Sequence, residues 1–255
     1  MVKQVGYIIF AIGAVSAQLF GLRAQADAVK VHEFSFYVAG QQQFKEVKYG
    51  IFDGEGKLVG SRAVEFKTAG RSEKYDYEGP LPLVFFEESV SQGADGLEVV
   101  ERTVVGKAFP KRDSEEYFVL FQTVDPKNQS ELEFKLAMVD IGLERLPPQH
   151  LRILNLTGVG LQGAIEREKG SPIGERSTFK VEKGSNEPIF VGPSSTVVIA
   201  LETNRAGWIK AFQDEFVCQP DERYVLVVYP PRVRGSVILG GSVIGFRAEA
   251  QGDKE

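Results

Sequence analysis

The scarce reactive side chains of this 255-residue chain are one Cys, two His and one Trp. Cys218 sits in Phe216-Val217-Cys218-Gln219-Pro220, an apolar setting that keeps a thiol buried and protonated rather than nucleophilic. Nucleophilic catalysis also needs a base beside the attacking group. The only imidazoles are His32, on an apolar strand face, and His150, just after two prolines. Two imidazoles and one thiol fall short of a zinc set, so neither metal nor cofactor is expected. The acidic pairs Glu87-Glu88 and Asp214-Glu215 have the chemistry of glycosidase carboxylates or Ca²⁺ ligands. Neighbouring strand residues point to opposite faces, however, so solvation accounts for both pairs better. Trp208 offers a broad apolar surface with a polar handle, suited to stacking on a sugar ring, and is the candidate ligand contact. A lone Trp with no cluster of exposed aromatics around it is more often a core residue.

Gly158-Val159-Gly160-Leu161-Gln162-Gly163 spells a dinucleotide fingerprint after the apolar run Leu151–Leu156. That chemistry needs a following helix whose N-terminus meets the pyrophosphate. Only Ala164 to Lys169 precede Gly170 and Pro172, fewer than two helical turns, so a glycine turn between strands is expected. Asn155-Leu156-Thr157 and Asn128-Gln129-Ser130 match the N-glycosylation pattern. Asn155 also suits a strand end, where its side chain bonds local backbone.

The elements that must position these groups are strands. From Val31 onward, β-branched and aromatic residues alternate at period two in short segments bounded by Gly, Pro, Asp and Asn, and no window reads as a long amphipathic helix. In the first half, strands are expected over 31–40, 44–52, 57–66, 73–77, 81–86, 97–105, 116–123 and 132–139, with Ser89–Gly96 an exposed loop. The second half continues with 151–156, 163–168, 177–182, 188–191, 196–202, 208–216, 224–229 and 236–246. Pro147-Pro148 interrupts the series because consecutive prolines extend neither ladder. The expected fold is all-β: two tandem antiparallel, Ig-like β-sandwiches, residues 27–146 and 147–255, behind a leader over 1–26.

The two series resemble each other. Glu115–Phe121 matches Glu222–Val228 at an offset of 107, Pro82–Glu87 is similar in type to Val197–Glu202 at 115, and Phe34–Gly40 to Leu151–Thr157 at 117. A duplicated unit whose second copy has a shorter loop where Ser89–Gly96 stands would give such falling offsets.

At the amino terminus Lys3 precedes an apolar stretch from Val5 to Leu22, followed by Ala24-Gln25-Ala26. This is the layout of a secretory signal peptide cut between Ala26 and Asp27, with an uncleaved anchor as the alternative. No Cys lies near the cut to carry a lipid. Cleavage would remove Lys3 and Arg23 and no acid, taking the net charge from −5 to −7. An acidic chain with scattered basic residues is a poor nucleic-acid binder. With 43% hydrophobic and 25% charged residues, the composition also excludes wholesale disorder and a multi-span membrane protein.

The run Leu146–Gly158, Leu-Pro-Pro-Gln-His-Leu-Arg-Ile-Leu-Asn-Leu-Thr-Gly, together with Arg223–Pro231 and Arg234–Val237, resembles an uncharacterised group of secreted bacterial proteins. More distantly, the strand leading into Asn155–Gly158 is similar to β-sandwich modules of cell-envelope accessory proteins, one of which assists alginate acetylation. That resemblance implies a binding or adaptor role in the periplasm or outside the cell, with another envelope or surface protein, or a polysaccharide, as partner.

Two rival expectations stand beside it. A carbohydrate-active enzyme would bring two carboxyl groups to about 5–10 Å in a deep cleft. A subunit of a surface assembly would pair chains through Ser236–Phe246, with Ile238 and Ile244 at the contact. An adaptor would show a shallow apolar patch or a free strand edge.

Overall fold

The computed structural model describes residues 30–40, 46–67, 70–93, 96–124, 132–168, 174–203 and 207–248. The leader, its Ala26–Asp27 junction and Asn128–Ser130 lie outside the described residues. Every regular element described is a strand.

The first eight strands make two four-stranded sheets. The first outer sheet has the order β3-β2-β5-β6, from β2 (Val47–Phe52), β3 (Leu58–Val64), β5 (Leu83–Gln92) and β6 (Glu98–Ala108). The first inner sheet has the order β4-β1-β7-β8, from β1 (His32–Gly40), β4 (Tyr75–Gly79), β7 (Glu116–Thr123) and β8 (Phe134–Asp140). Alternation places Phe34, Phe36, Val38, Tyr117, Val119 and Phe121 of the inner sheet against Val47, Tyr49, Leu83, Phe85 and Val105 of the outer one. The resulting core is rich in edge-on rings, such as Phe85 and Phe121 with centroids 4.9 Å apart.

After Pro147-Pro148 the pattern repeats. The second outer sheet runs β11-β10-β14-β15, from β10 (Leu161–Arg167), β11 (Arg176–Val181), β14 (Ser194–Thr203) and β15 (Gly207–Val217). The second inner sheet runs β12-β9-β16-β17, from β9 (His150–Asn155), β12 (Gly184–Ser185), β16 (Glu222–Tyr229) and β17 (Gly240–Arg247), with β13 (Ile189–Phe190) also on β9. Leu151, Ile153, Leu226 and Val228 face Leu161, Ile165, Val197 and Ile199 across this second core.

Strand for strand, the halves share one wiring. In each, the first strand pairs in parallel with the next to last, β1 with β7 and β9 with β16, inside otherwise antiparallel sheets. The expectation of purely antiparallel sheets is refined at these two places; the long excursion through the outer sheet lets the chain re-enter in either direction. Each half also carries a bulge at the matching point. Val105 is the extra residue opposite Phe85/Phe86 and Ala211 the extra residue opposite Ile199/Ala200, and both side chains are buried.

The parallel registers sharpen the offsets. Tyr117 and Tyr224, 107 apart, pair with Phe36 and Leu151, which sets the first strands 115 apart rather than 117. The matched bulges set β5 and β14 at 114 rather than 115, so that Leu83 and Phe85 correspond to the buried Val197 and Ile199. A one-residue slip would swap inward for outward faces.

A third core joins the two inner sheets back to back. Tyr37, Ala39, Phe118, Leu120, Val139 and Ile141 meet Leu154, Val225, Val227, Ile244 and Phe246. At their margin the equivalent residues Glu116 and Arg223 form a buried ion pair, and the Tyr37 hydroxyl donates to Glu116 Oε1 at 3.1 Å. The Arg71 guanidinium lies 4.1 Å from the Tyr37 ring centroid and donates from Nε to the Gly245 carbonyl at 3.0 Å. The chain is thus four sheets deep, and its outer sheets each keep one face toward solvent.

Ile244, expected at a contact between chains, is sealed in this third core, whereas Ile238 is exposed ahead of β17. Ser89–Gln92, expected as a loop, continues β5.

Candidate functional site

The two solvent-facing sheet surfaces are the same scaffold with different side chains. Strand registers make Lys48 equivalent to Gln162, Phe86 to Ala200, Glu88 to Glu202 and Arg102 to Trp208. On the first outer sheet these positions close the surface. Lys48 Nζ and Arg102 Nε each donate to the Glu88 carboxylate at 2.9 Å, and Ser61 Oγ donates at 3.1 Å. Arg102 lies over the Phe86 ring, 5.6 Å from its centroid, and Phe86 is buried. The Lys48 hydrogen bond, with those of Arg102 and Ser61, holds Glu88 below the usual carboxylate range, against the opposing effect of burial. In turn Glu88 and Glu46 hold the Lys48 ammonium above its usual value.

On the second outer sheet the plug is missing. Ala200 stands where Phe86 would be, and the residue opposite Glu202 is an indole instead of a guanidinium. The result is a depression of about 360 Å³ with Ala164, Thr178, Val198 and Ala200 among its lining and Trp208, Arg176 and Lys180 at its sides. Its lining includes two cations, Lys180 and Arg176, the latter 3.9 Å from the Glu166 carboxylate on β10, in a chain of net charge −5. From β15, which carries Trp208, to β11, which carries the cations, is three strand spacings, about 14 Å. Trp208 is 44% exposed, which corrects the core reading of a lone Trp. The floor stays flat because Gly163 makes room beneath it: a Cβ there would stand 2.3 Å from the Phe179 ring that packs toward the core.

The chain matches no known family model and no curated protein.

The other reactive residues are dispersed or occupied. Cys218 is buried and donates to the Glu222 carbonyl at 3.4 Å, and burial, with smaller effects from Glu222 and Asp221, pushes its thiol up to about 11. His32 stands 3.9 Å from Asp113, and His150 Nδ1 lies 2.8 Å from the Pro148 carbonyl with its ring against Phe190. Glu88 is consumed by its two cations, while Asp214 and Glu215 are exposed, Asp214 accepting from the Glu215 amide at 2.9 Å. Among the described residues no group of three or more His, Cys, Asp or Glu is placed to hold a metal.

The glycine fingerprint is a turn. Gly158 has φ 80° and the chain continues into β10 rather than a helix. Asn155 is buried; its Nδ2 donates to the Val159 carbonyl at 2.7 Å and its Oδ1 accepts from the Thr157 amide at 3.0 Å. That side chain staples the crossing from the inner to the outer sheet and has no room for a glycan.

Sequence reasoning singled out Trp208 and missed its neighbours. Ala164, Thr178, Val198 and Ala200 come from three separate strands, and only the sheet order unites them. The available signal was the outward, every-second-residue placement of small side chains along β10 and β14.

Proposed function

We propose that this chain is an exported, non-enzymatic binding protein of the bacterial cell envelope, and that the open face around Trp208 is its contact surface for an acidic polysaccharide. The observation that carries this reading is the contrast between equivalent faces: one is filled by Phe86 and the Lys48–Glu88–Arg102 network, the other left open beneath an exposed indole. An exposed ring face stacks on the apolar face of a pyranose, while Arg176 and Lys180 complement carboxylate groups along the same chain. A shallow, flat depression suits binding better than bond cleavage, which needs groups converging on a reacting atom. Export rests on the apolar stretch before Ala26 and on the resemblance to secreted bacterial proteins.

The test uses the single Trp as its own reporter. Titration with polygalacturonate should change Trp208 fluorescence saturably, neutral dextran should act weakly, and Ala200→Phe should abolish the response by rebuilding the plug. An indole that responds to neither glycan, or equally in Ala200→Phe, would sink the assignment.

A further inference from the structure

The hairpin of β5 and β6 is longer than its counterpart. β14 ends at Thr203, the equivalent of Ser89, whereas β5 runs on to Gln92 and β6 begins at Glu98. This added arm is exposed on both faces, and Val90, Val99 and Val100 on it are 63%, 42% and 47% accessible. Among the described residues β6 has β5 as its strand partner, and while its end at Gly106 packs against Leu136 of β8, the exposed part from Glu98 to Arg102 has no strand on its other edge. Exposed edges are usually guarded by Pro, charges, bulges or short length; this one has its bulge only at Val105, and its outer part sets the exposed Val99 and Val100 between Glu98 and the Glu101-Arg102 pair.

We infer that β6 is a self-pairing edge that joins two copies of this chain about a two-fold axis through Val100. In an isologous antiparallel pair, residue i faces j of the partner and j faces i. With Val100 on the axis, Glu98 of each copy stands opposite Arg102 of the other. Moving the axis to Glu101 would set carboxylate against carboxylate, and moving it to Arg102 would set guanidinium against guanidinium. The chosen register extends contacts already within each chain. Val90 is opposite Val100 on β5, so four valines form one row across β5, β6 and their two copies. Arg102, already bound to Glu88, gains a second carboxylate on its open side. The first outer sheets of the two copies then become one eight-stranded sheet, a closed dimer with no further copy of this edge left to pair.

Sedimentation of the purified protein should show a dimer. Val100→Lys sets two ammonium groups on the axis and should raise the dissociation constant at least tenfold with an unchanged melting temperature, and Glu98→Arg should do likewise. Val100→Cys should cross-link to a covalent dimer on mild oxidation, because its thiol meets its own copy, while Thr103→Cys should not. Cys218, the only native thiol, is buried and adds little background. A protein that is monomeric from micromolar to near-millimolar concentration overturns the inference. So does a dimer that survives Val100→Lys, or one that cross-links through Thr103→Cys and not through Val100→Cys.

Discussion

The first and second outer sheets share strand order, register and a bulge at the same point, yet one surface is closed and the other open. The backbone therefore does not decide which face is available. The side chains at four equivalent positions do: Lys48, Phe86, Glu88 and Arg102 against Gln162, Ala200, Glu202 and Trp208. Exchanging a buried ring for a methyl group removes what filled the surface, and exchanging a guanidinium for an indole removes the charge that neutralised the neighbouring acid. One scaffold, used twice along the chain, thus carries two outer faces of different character.

The largest effect should come from opening the closed face. Phe86→Ala imitates the second sheet and should destabilise the protein by about 3 kcal/mol, read from denaturant unfolding, because Phe86 is buried beneath Arg102. An unchanged midpoint would mean that the ring is a surface ornament rather than a filler.

Next in size is Trp208→Ala, expected to lower affinity for polygalacturonate about 30-fold, roughly 2 kcal/mol, by calorimetry. Its thermal midpoint should barely move, since the indole is 44% exposed. Loss of fold together with loss of binding would return Trp208 to a packing role.

Glu88→Gln should cost about 1 kcal/mol at neutral pH and flatten the acid limb of the stability curve. The sign follows from the direction of the shift. Glu88 is held below its ordinary value, so its contribution is complete above the unfolded carboxyl pKa of about 4.3 and is lost as pH falls through the lower folded value. Lys48 is held above its ordinary value, so its share persists through neutral pH and is lost only as strong alkali titrates the folded ammonium. Urea midpoints of both proteins between pH 6 and pH 3 check this: the curves should converge on acidification.

The smallest effect is expected from Lys180→Ala. An exposed cation beside the depression is worth about 0.5 kcal/mol, a two- to threefold loss of affinity that should vanish in high salt.

The strands were largely legible because each buries one face, so period two survives in the sequence. Where burial fails, legibility fails with it. Ser89–Gln92 has no buried side and its Ser and Gln content resembles a loop, yet backbone pairing with β6 carries the strand through it. Gly184–Ser185 is too short to alternate at all, and it joins β9 only because the register brings it there. The leading residues of Ser236–Phe246 carry apolar side chains without belonging to β17, since Leu239 packs into the second core from the approach to the strand. Of the open face, the sequence identified the Trp but not its setting. Small outward residues on β10, β11 and β14 look unremarkable one at a time and acquire meaning only as a floor.

The meeting of Glu116 with Arg223 shows what joining the two halves in one chain permits. These two occupy the same place in their respective halves, 107 residues apart, and touch where the inner sheets abut. An assembly of two identical half-chains would confront that position with itself, acid on acid or base on base. Carried in one polypeptide, the two halves hold opposite charges at equivalent positions and close the seam with an ion pair.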